Sequence, residues 1–459
     1  MNRLFGTDGV RGTANKEPMT VETVLKLGKA ASALLSNGRA HHKFIIGKDT
    51  RLSGYMFEMA LTAGITSMGG DVLLTGPFPT PGIAYLTTEI KADVGIVISA
   101  SHNPYMDNGI KFFGSDGYKL NDTIESEIER LVLSGSTIRP PRPEERIAEN
   151  IGKAYRLSDA MGRYIVFLKH SFPKEISLSG IRMAVDCANG ATYRVAPAVF
   201  QELGASIAVV CAQPNGKNIN HNCGSTHPDL IASTAKKYGA DIGVAFDGDG
   251  DRAILCDEKG NIVDGDAILA MTAIHMKNAG RLKGNGVVST VMSNIGLELA
   301  LKQEGIKLIR AEVGDRYVLE SMLREGIVLG GEQSGHIIFI EHNTAGDGII
   351  TALQVLAIMV LTGRKLSELA GIMSHCPQVM INVRVTGKPP LKSMPDAQRL
   401  IQGISDKLKD SGRVLVRYSG TEPLVRVMVE GPEHSLIQGY AQEIADTFKK
   451  LIGDKGPGT

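Results

Sequence analysis

Apolar residues recur at helical spacing near the start of the chain. Val21, Val24, Leu25, Ala31, Leu34 and Leu35 share a face with Gly28, and Asn37-Gly38 predicts the stop. The short apolar run Lys43-Phe44-Ile45-Ile46-Gly47 then predicts a buried strand. Met56 to Met68 predicts a second helix, Asp71 to Leu74 a second strand and Val94 to Ile98 a third. Helix and strand alternate in this way to about residue 370, which predicts α/β layers with largely parallel sheets. Beyond Leu369 the pattern changes. Strands at Val379–Val385, Val414–Tyr418 and Leu424–Val429 and helices at Asp396–Leu408 and Ser435–Leu451 predict a small α+β domain with antiparallel pairing.

One strand end occurs twice, 148 residues apart: Ala92-Asp93-Val94-Gly95-Ile96-Val97-Ile98-Ser99-Ala100-Ser101 lies beside Ala240-Asp241-Ile242-Gly243-Val244-Ala245-Phe246-Asp247-Gly248-Asp249. A third run, Gly326 to Ser334, again leads from a short apolar strand into a polar, glycine-containing loop. Three comparable units would each place a loop at the carboxyl end of a strand, where α/β folds bind ligands. Chance resemblance among short strands is the competing explanation. The Pro-rich, charged stretch Ser134–Glu149 reads as a linker, and the turn Cys256-Asp257-Glu258-Lys259-Gly260 as a second boundary. The expected domains are 1–153, 154–254, 255–369 and 370–459, with a disordered tail at Gly453–Thr459.

A length of 459 residues suits three or four domains with clefts between them. Charge is balanced, 50 Lys+Arg against 49 Asp+Glu, which argues against a nucleic-acid binder and an acidic disordered chain. The 53 glycines imply many tight loops. Cys187, Cys211, Cys223, Cys256 and Cys376 include no C-x-x-C pair, so neither a disulfide framework nor a structural zinc site is expected, in keeping with a reducing cytosol. The first residues hold no apolar signal core, and the most apolar stretch, Ala352–Thr362, is too short to span a membrane. A cytoplasmic protein without membrane or nucleic-acid partners is the expectation.

Asp247-Gly248-Asp249-Gly250-Asp251-Arg252 carries the strongest chemical signal. Carboxylates at every second position, separated by glycines, can converge on one hard divalent cation. An EF-hand would use the same three aspartates with Glu258 at its twelfth position, but Arg252 stands where it needs glycine. A solvated acidic turn would leave three carboxylates repelling one another. Ser101-His102-Asn103-Pro104 follows a strand, and the Asn-Pro turn could expose the serine hydroxyl to a ligand, with His102 and Lys111 as acid/base or charge-stabilising partners. A structural turn serine is the alternative, and no G-x-S-x-G elbow supports a hydrolase. Arg417-Tyr418-Ser419-Gly420-Thr421-Glu422-Pro423, with Arg426 on the following strand, offers what a phosphate dianion wants, though an ordinary hairpin with exposed arginines would look the same.

Together, Phe5-Gly6-Thr7-Asp8-Gly9-Val10-Arg11-Gly12, Ser99 to Pro104, Asp247 to Arg252, Gly331-Glu332-Gln333-Ser334-Gly335-His336 and Arg417 to Pro423 resemble the α-D-phosphohexomutase superfamily in the same order along nearly the whole chain. The resemblance implies three similar mixed-sheet α/β domains plus a smaller C-terminal α+β domain around a central cleft. It implies a phosphorylated Ser101, and Mg²⁺ held by Asp247, Asp249, Asp251 and a phosphoserine oxygen. Glu332 and Ser334 match the sugar-hydroxyl loop, and Arg417, Ser419, Gly420 and Thr421, with Arg426 near them, the substrate-phosphate loop. Arg11, His102, Lys111, Arg252 and His336 match positions lining the active site. Ser99 stands where members often have threonine. Gln333, Asn218-Ile219-Asn220 and Cys223-Gly224-Ser225-Thr226-His227-Pro228 look more like the superfamily's glucosamine enzymes than its phosphomannomutases or phosphoglucomutases. The implied reaction moves a phosphoryl group between O6 and O1 of a sugar phosphate through a bisphosphorylated sugar, which would also act as activator, in a monomer or homodimer.

Overall fold

The computed structural model describes residues 4–6, 8–35, 42–134, 138, 150–419 and 423–453, and its contacts divide the chain into two compact units. The first unit is Met1–Thr290 with Ile309–Gly371, the second Val291–Leu308 with Ile372–Thr459. The Asn37-Gly38 stop, nearly all of the Ser134–Glu149 linker and the end of the tail lie outside the described residues.

The first sheet comprises β1 (Phe5–Gly6), β2 (Gly9–Thr13), β3 (Lys43–Lys48), β4 (Asp71–Pro77), β5 (Val94–Ile98), β6 (Asp107–Gly114) and β7 (Ala154–Arg156), in the order β1-β2-β6-β5-β3-β4-β7. Its helices are α1 (Val21–Leu35), α2 (Leu52–Thr66), α3 (Thr80–Glu89) and α4 (Asp122–Leu133). Gly28 stands on the apolar face of α1 because α2 comes so close there: a Cβ at Gly28 would lie 2.8 Å from the Leu61 carbonyl oxygen. Next come α5 (Ala160–His170), β8 (Arg182–Asp186), α6 (Val195–Glu202), β9 (Ser206–Val210), α7 (Asp229–Tyr238), β10 (Ile242–Phe246), β11 (Ala253–Asp257) and β12 (Ile262–Val263), whose sheet runs β12-β11-β10-β8-β9. A third set follows: α8 (Gly265–Asn278), β13 (Gly286–Thr290), α9 (Ile295–Gln303), β14 (Lys307–Ala311), α10 (Asp315–Glu325), β15 (Leu329–Gly331), β16 (Ile337–Phe339), α11 (Gly348–Thr362) and α12 (Leu366–Ala370). Its sheet order is β14-β13-β15-β16. The apolar stretch near Ala352 belongs to the buried α11, and among the described residues no helix is long and apolar enough to cross a membrane.

Two readings of the pattern change. The first three sheets are mixed rather than largely parallel: β3 pairs in parallel with β4 and β5, but β5 with β6, β10 with β11 and β15 with β16 are antiparallel. The physical reason is loop length. A parallel return needs a crossover of a dozen or more residues, and the stretch from Phe246 to Ala253 allows only a reversal. The turn at Cys256–Gly260, expected between domains, joins β11 to β12 within one sheet, and the first sheet extends to β7. The three similar strand ends thus become one recurring device, in which a buried strand enters a polar loop and returns beside itself.

In the second unit β17 (Gln378–Arg384), α13 (Pro395–Leu408), β18 (Arg413–Tyr418), β19 (Leu424–Glu430) and α14 (His434–Ile452) form an antiparallel sheet, β17-β19-β18, with two helices. Val379, Val383, Val425, Val427 and Val429 pack with Ile437, Ile444 and Phe448 as its core.

Candidate active site

Each of the three loops in the first unit leaves a fully buried strand, so its first residues are held by the sheet while its polar tip is free to meet other loops. The β5–β6 loop carries Ser101 in a left-handed conformation (φ 50°), a strained backbone for a non-glycine residue. A chain of hydrogen bonds maintains it. The Ser101 N–H donates to Ser99 Oγ at 2.9 Å, Ser99 Oγ donates to Asp49 Oδ2 at 2.6 Å, and the same carboxylate accepts from Arg51 Nε at 2.7 Å. The hydroxyl at 99 is what the chain of bonds uses, and serine supplies it as threonine would.

Arg51 is a residue that sequence reasoning missed. Its side chain is fully buried, and its two terminal nitrogens reach the carbonyls of Ser101 and Asn103, both at 2.8 Å, and of Pro104 and Asp107. A planar fork of five donors can gather four loop carbonyls while neutralising Asp49; an ammonium cannot. Asn220, quoted in the Asn218-Ile219-Asn220 run without a role of its own, braces the same turn, donating to the Ser101 carbonyl at 2.8 Å.

The serine hydroxyl is not exposed as the Asn-Pro turn suggested. It is buried, donates to Asp247 Oδ2 at 2.5 Å and lies 3.2 Å from His102 Nδ1. The β10–β11 loop closes over it because Gly248 lacks a side chain: a Cβ there would stand 2.6 Å from the Ser101 carbonyl oxygen.

Asp247, Asp249 and Asp251 are all buried and each offers an oxygen within 4.8 Å of the others. Asp247 Oδ1 accepts the N–H groups of Gly250 and Arg252, and Asp249 Oδ2 accepts from Thr80 Oγ1 at 2.7 Å and Lys111 Nζ at 3.1 Å. Asp249 Oδ1 and Asp251 Oδ1 have no hydrogen-bond donor. Lys111, expected to face the transferring group, stands against the carboxylates instead, 3.1 Å from Asp249 and from Asp8 and 3.6 Å from Asp251. Buried oxygens without donors are what a divalent cation would ligate. The donor set fits a hard, oxygen-loving ion. The EF-hand reading fails, because Glu258 is bonded to Ser367 and strands flank the loop.

Electrostatics separate Asp247 from Asp251. Burial, then the charges of Asp251 and Asp249, push the Asp247 carboxyl well above the usual range. Burial also raises Asp251, but Lys111, His336 and Arg252 outweigh it and hold that carboxyl well below. His102 is lowered to about 4, by burial first and then by Arg252 and Arg11, so its imidazole is neutral at pH 7. His336 goes the other way. Burial would lower it, but Asp251 and Asp315 outweigh that and raise it.

The remaining expected residues join one connected cluster. His336 Nδ1 lies 3.6 Å and Arg252 Nε 3.7 Å from Asp251 Oδ1. Arg11 is paired with Asp8, which also binds Lys119, and Lys119 reaches on to Asp315. In the β15–β16 loop Ser334 Oγ donates to Glu332 Oε2 at 3.2 Å, and the Glu332 N–H donates to the His336 carbonyl at 2.9 Å. Thr80, Lys119 and Asp315 carry no local signal, and Asp8 lies in the Phe5–Gly12 segment without being singled out; only the fold shows their part. A polar hollow of about 230 Å³ beside His102 is lined by Tyr105, Lys217, His221, Thr226 and His227.

In the second unit Arg417 and Arg426 are directly opposite in the β18–β19 register, and Lys388 Nζ donates to the Ser419 carbonyl at 2.6 Å. Gly420 and Thr421 lie outside the described residues.

Sequence models of phosphoglucomutase/phosphomannomutase match four successive stretches: alpha/beta/alpha domain I at 2–139, domain II at 139–260, domain III at 264–376 and the C-terminal domain at 380–447. The phosphoglucosamine mutase of Geobacter metallireducens is 56% identical over 455 residues, covering 99% of this chain and all of that one. In fold, the chain resembles a phosphoglucomutase/phosphomannomutase family protein from Burkholderia thailandensis (TM-score 0.79, 21% identity, 100% of this chain and 98% of that one). It also resembles the Aspergillus fumigatus N-acetylphosphoglucosamine mutase solved with GlcNAc-6P and magnesium (TM-score 0.67, 17% identity, 97% and 95%).

Proposed function

The chain belongs to the phosphoglucomutase/phosphomannomutase family in all four of its domains, and we propose that it interconverts glucosamine-6-phosphate and glucosamine-1-phosphate in the cytoplasm through a phosphorylated Ser101. The observation that carries the reading is the Ser101 hydroxyl 2.5 Å from Asp247, within a trio of buried acids that retains donor-free oxygens. The sugar preference is supported by curated relatives 54–56% identical over nearly the whole chain, all phosphoglucosamine mutases.

The phosphoryl group passes from Ser101 Oγ to the free sugar hydroxyl, giving a bisphosphorylated sugar, and the other phosphate returns to Ser101. A bisphosphorylated sugar from solution would restore phosphoserine to enzyme that has lost it. Asp247, Asp249, Asp251 and an oxygen of the phosphoserine would hold Mg²⁺, which neutralises charge on the transferring group when bound. Arg11 and Arg252 stabilise the same charge, and Lys111 fixes Asp249 and Asp251 against mutual repulsion. His102, neutral and beside Ser101 Oγ, can take a proton as the hydroxyl reacts. Glu332, Ser334 and His336 bind the sugar, and Arg417, Ser419, Gly420, Thr421 and Arg426 hold the phosphate that is not being transferred.

A coupled assay comparing kcat/KM for glucosamine-, glucose- and mannose-phosphates tests the substrate. A higher value for mannose-phosphate would move the protein to a phosphomannomutase. Peptide mass spectrometry of active enzyme should find phosphate on Ser101, and Ser101→Ala should remove nearly all turnover. Phosphate found only on another residue would end the assignment.

A further inference from the structure

We propose that Asp186, Cys211 and Cys223 form a second metal site, one that takes a single thiophilic divalent cation of the zinc class. The cysteines are twelve residues apart, with none of the short spacing that marks such sites in sequence, and the fold brings them together. Asp186 ends β8, Cys211 follows β9, and Cys223 lies in the long loop before α7. One ligand atom from each falls within 4.8 Å of the others. Bonds of about 2.0–2.3 Å in a tetrahedral site separate its ligand atoms by roughly 3.3–3.8 Å, so small side-chain adjustments suffice.

The supporting contacts are already in place. Asp186 Oδ1 accepts from the Ala188 N–H at 2.8 Å and Oδ2 from the Gly224 N–H at 2.7 Å, which fixes the carboxylate and leaves each oxygen a lone pair for an ion. Asn189 Nδ2 points at Cys223 Sγ, 4.0 Å away. Asp186 and Cys223 are buried while Cys211 is partly exposed, which gives an ion an entry path. The backbone around the cluster is unusual. Ala188, Asn189, Cys211, Asn220 and Asn222 all have φ between 48° and 57°, half of the left-handed non-glycine positions among the described residues. Such strain persists where surroundings over-determine it, as at ligand clamps.

Binding would exchange two thiol protons, released to solvent, for two metal–sulfur bonds, and the dication would offset the charge of the two thiolates while the carboxylate completes the donor set. Ligand softness separates this site from the all-oxygen trio, so Mg²⁺ and a zinc-class ion need not compete. Its position gives it a consequence. The ion would tether the 211–223 loop at both ends, and Asn220 within that loop holds the carbonyl of Ser101.

The test uses full-length protein, freed of metal with a chelator, kept reduced with a phosphine and titrated with Cd²⁺ or Zn²⁺. Cadmium should produce a sulfur-to-metal charge-transfer absorption that saturates at one equivalent. Zinc should slow alkylation of Cys211 by iodoacetamide at least ~10-fold. Both effects should vanish in Cys223→Ser and persist in Asp249→Asn. Absence of the band, an alkylation rate unmoved by zinc, or a Cys211–Cys223 disulfide in the protein as kept reduced would each overturn the proposal, whatever becomes of the mutase reading.

Discussion

Gly248→Ala adds one methyl group where the Asp247–Asp251 loop crosses the Ser101 loop. Its Cβ would lie 2.6 Å from the Ser101 carbonyl oxygen and 2.8 Å from both Asn220 Nδ2 and Ile219 Cδ1, whereas ordinary contact begins at 3.4 Å. The serine carbonyl must therefore retreat by about 0.8 Å, or the loop carrying Asp247 and Asp249 must do so. Overpacking of this kind costs ~1–3 kcal/mol, too little to unfold the unit. Misplacement approaching 1 Å between reacting groups costs up to ~100-fold in rate. Expected, then, is a folded protein with a thermal transition within a few degrees of the parent and kcat down ~10–100-fold, with KM for glucosamine-6-phosphate little changed. Gly439→Ala is the control, because nothing lies within 4 Å of that position. If Gly248→Ala turns over within twofold of the parent, the packing of the two loops does not set the chemistry and the reasoning fails.

Arg51→Lys keeps the charge beside Asp49 but cannot make the planar fork, so at least two of its five contacts go. At ~1.5–3 kcal/mol for each charge-assisted bond, kcat should fall ~100-fold or more with sugar binding retained; a parent-like kcat would show that Arg51 only fills space. Arg417→Ala should lower kcat/KM ~10–100-fold while mass spectrometry still finds phosphate on Ser101; unchanged substrate affinity would remove it from the phosphate anchor. Asp347 caps α11 and accepts from Tyr164 Oη at 2.6 Å, and burial pushes its carboxyl up to about 6. A raised folded pKa means the native state binds the proton more tightly, so this contribution is full below pH ~4 and is lost as pH rises to ~6, by ~3 kcal/mol. Urea midpoints of the parent minus those of Asp347→Asn should fall across that window, and a pH-independent difference would refute the assignment.

What could be read from the sequence was what is local. Ser101 and the Asp247–Asp251 loop each follow a buried strand within a few residues, so a short window holds the strand, the exit and the candidate group. The groups that set their geometry are remote: Arg51 is 50 residues from Ser101, Thr80 is 169 from Asp249 and Lys119 is 196 from Asp315. No spacing rule joins such pairs, because only the tertiary packing of the sheets does. The sheets misled for a related reason. Apolar strands buried on both faces read alike whether neighbours are parallel or antiparallel, and loop length had to decide. The cysteine spacing is silent in the same way, because Asp186, Cys211 and Cys223 come together from three separate segments.

The charge balance of the cluster argues that the metal and the phosphoryl group belong together. Asp8, Asp247, Asp249, Asp251 and Asp315 are set against Lys111, Lys119, Arg11 and Arg252, with His336 raised beside them. Acids and bases nearly cancel, yet two buried oxygens lack donors. A phosphoryl dianion on Ser101 alone would face Asp247, from which its hydroxyl now accepts no charge but to which it donates a hydrogen bond that phosphorylation abolishes. A dication alone would overcompensate acids already held by Lys111. Added together, charges of about −2 and +2 leave the net charge of the cluster unchanged while satisfying the donor-free oxygens. Each therefore binds more favourably when the other is present, and by linkage the affinity gained is the same in both directions. Stripping the metal should then cost the enzyme its phosphoserine more readily than any change in the sugar loop does.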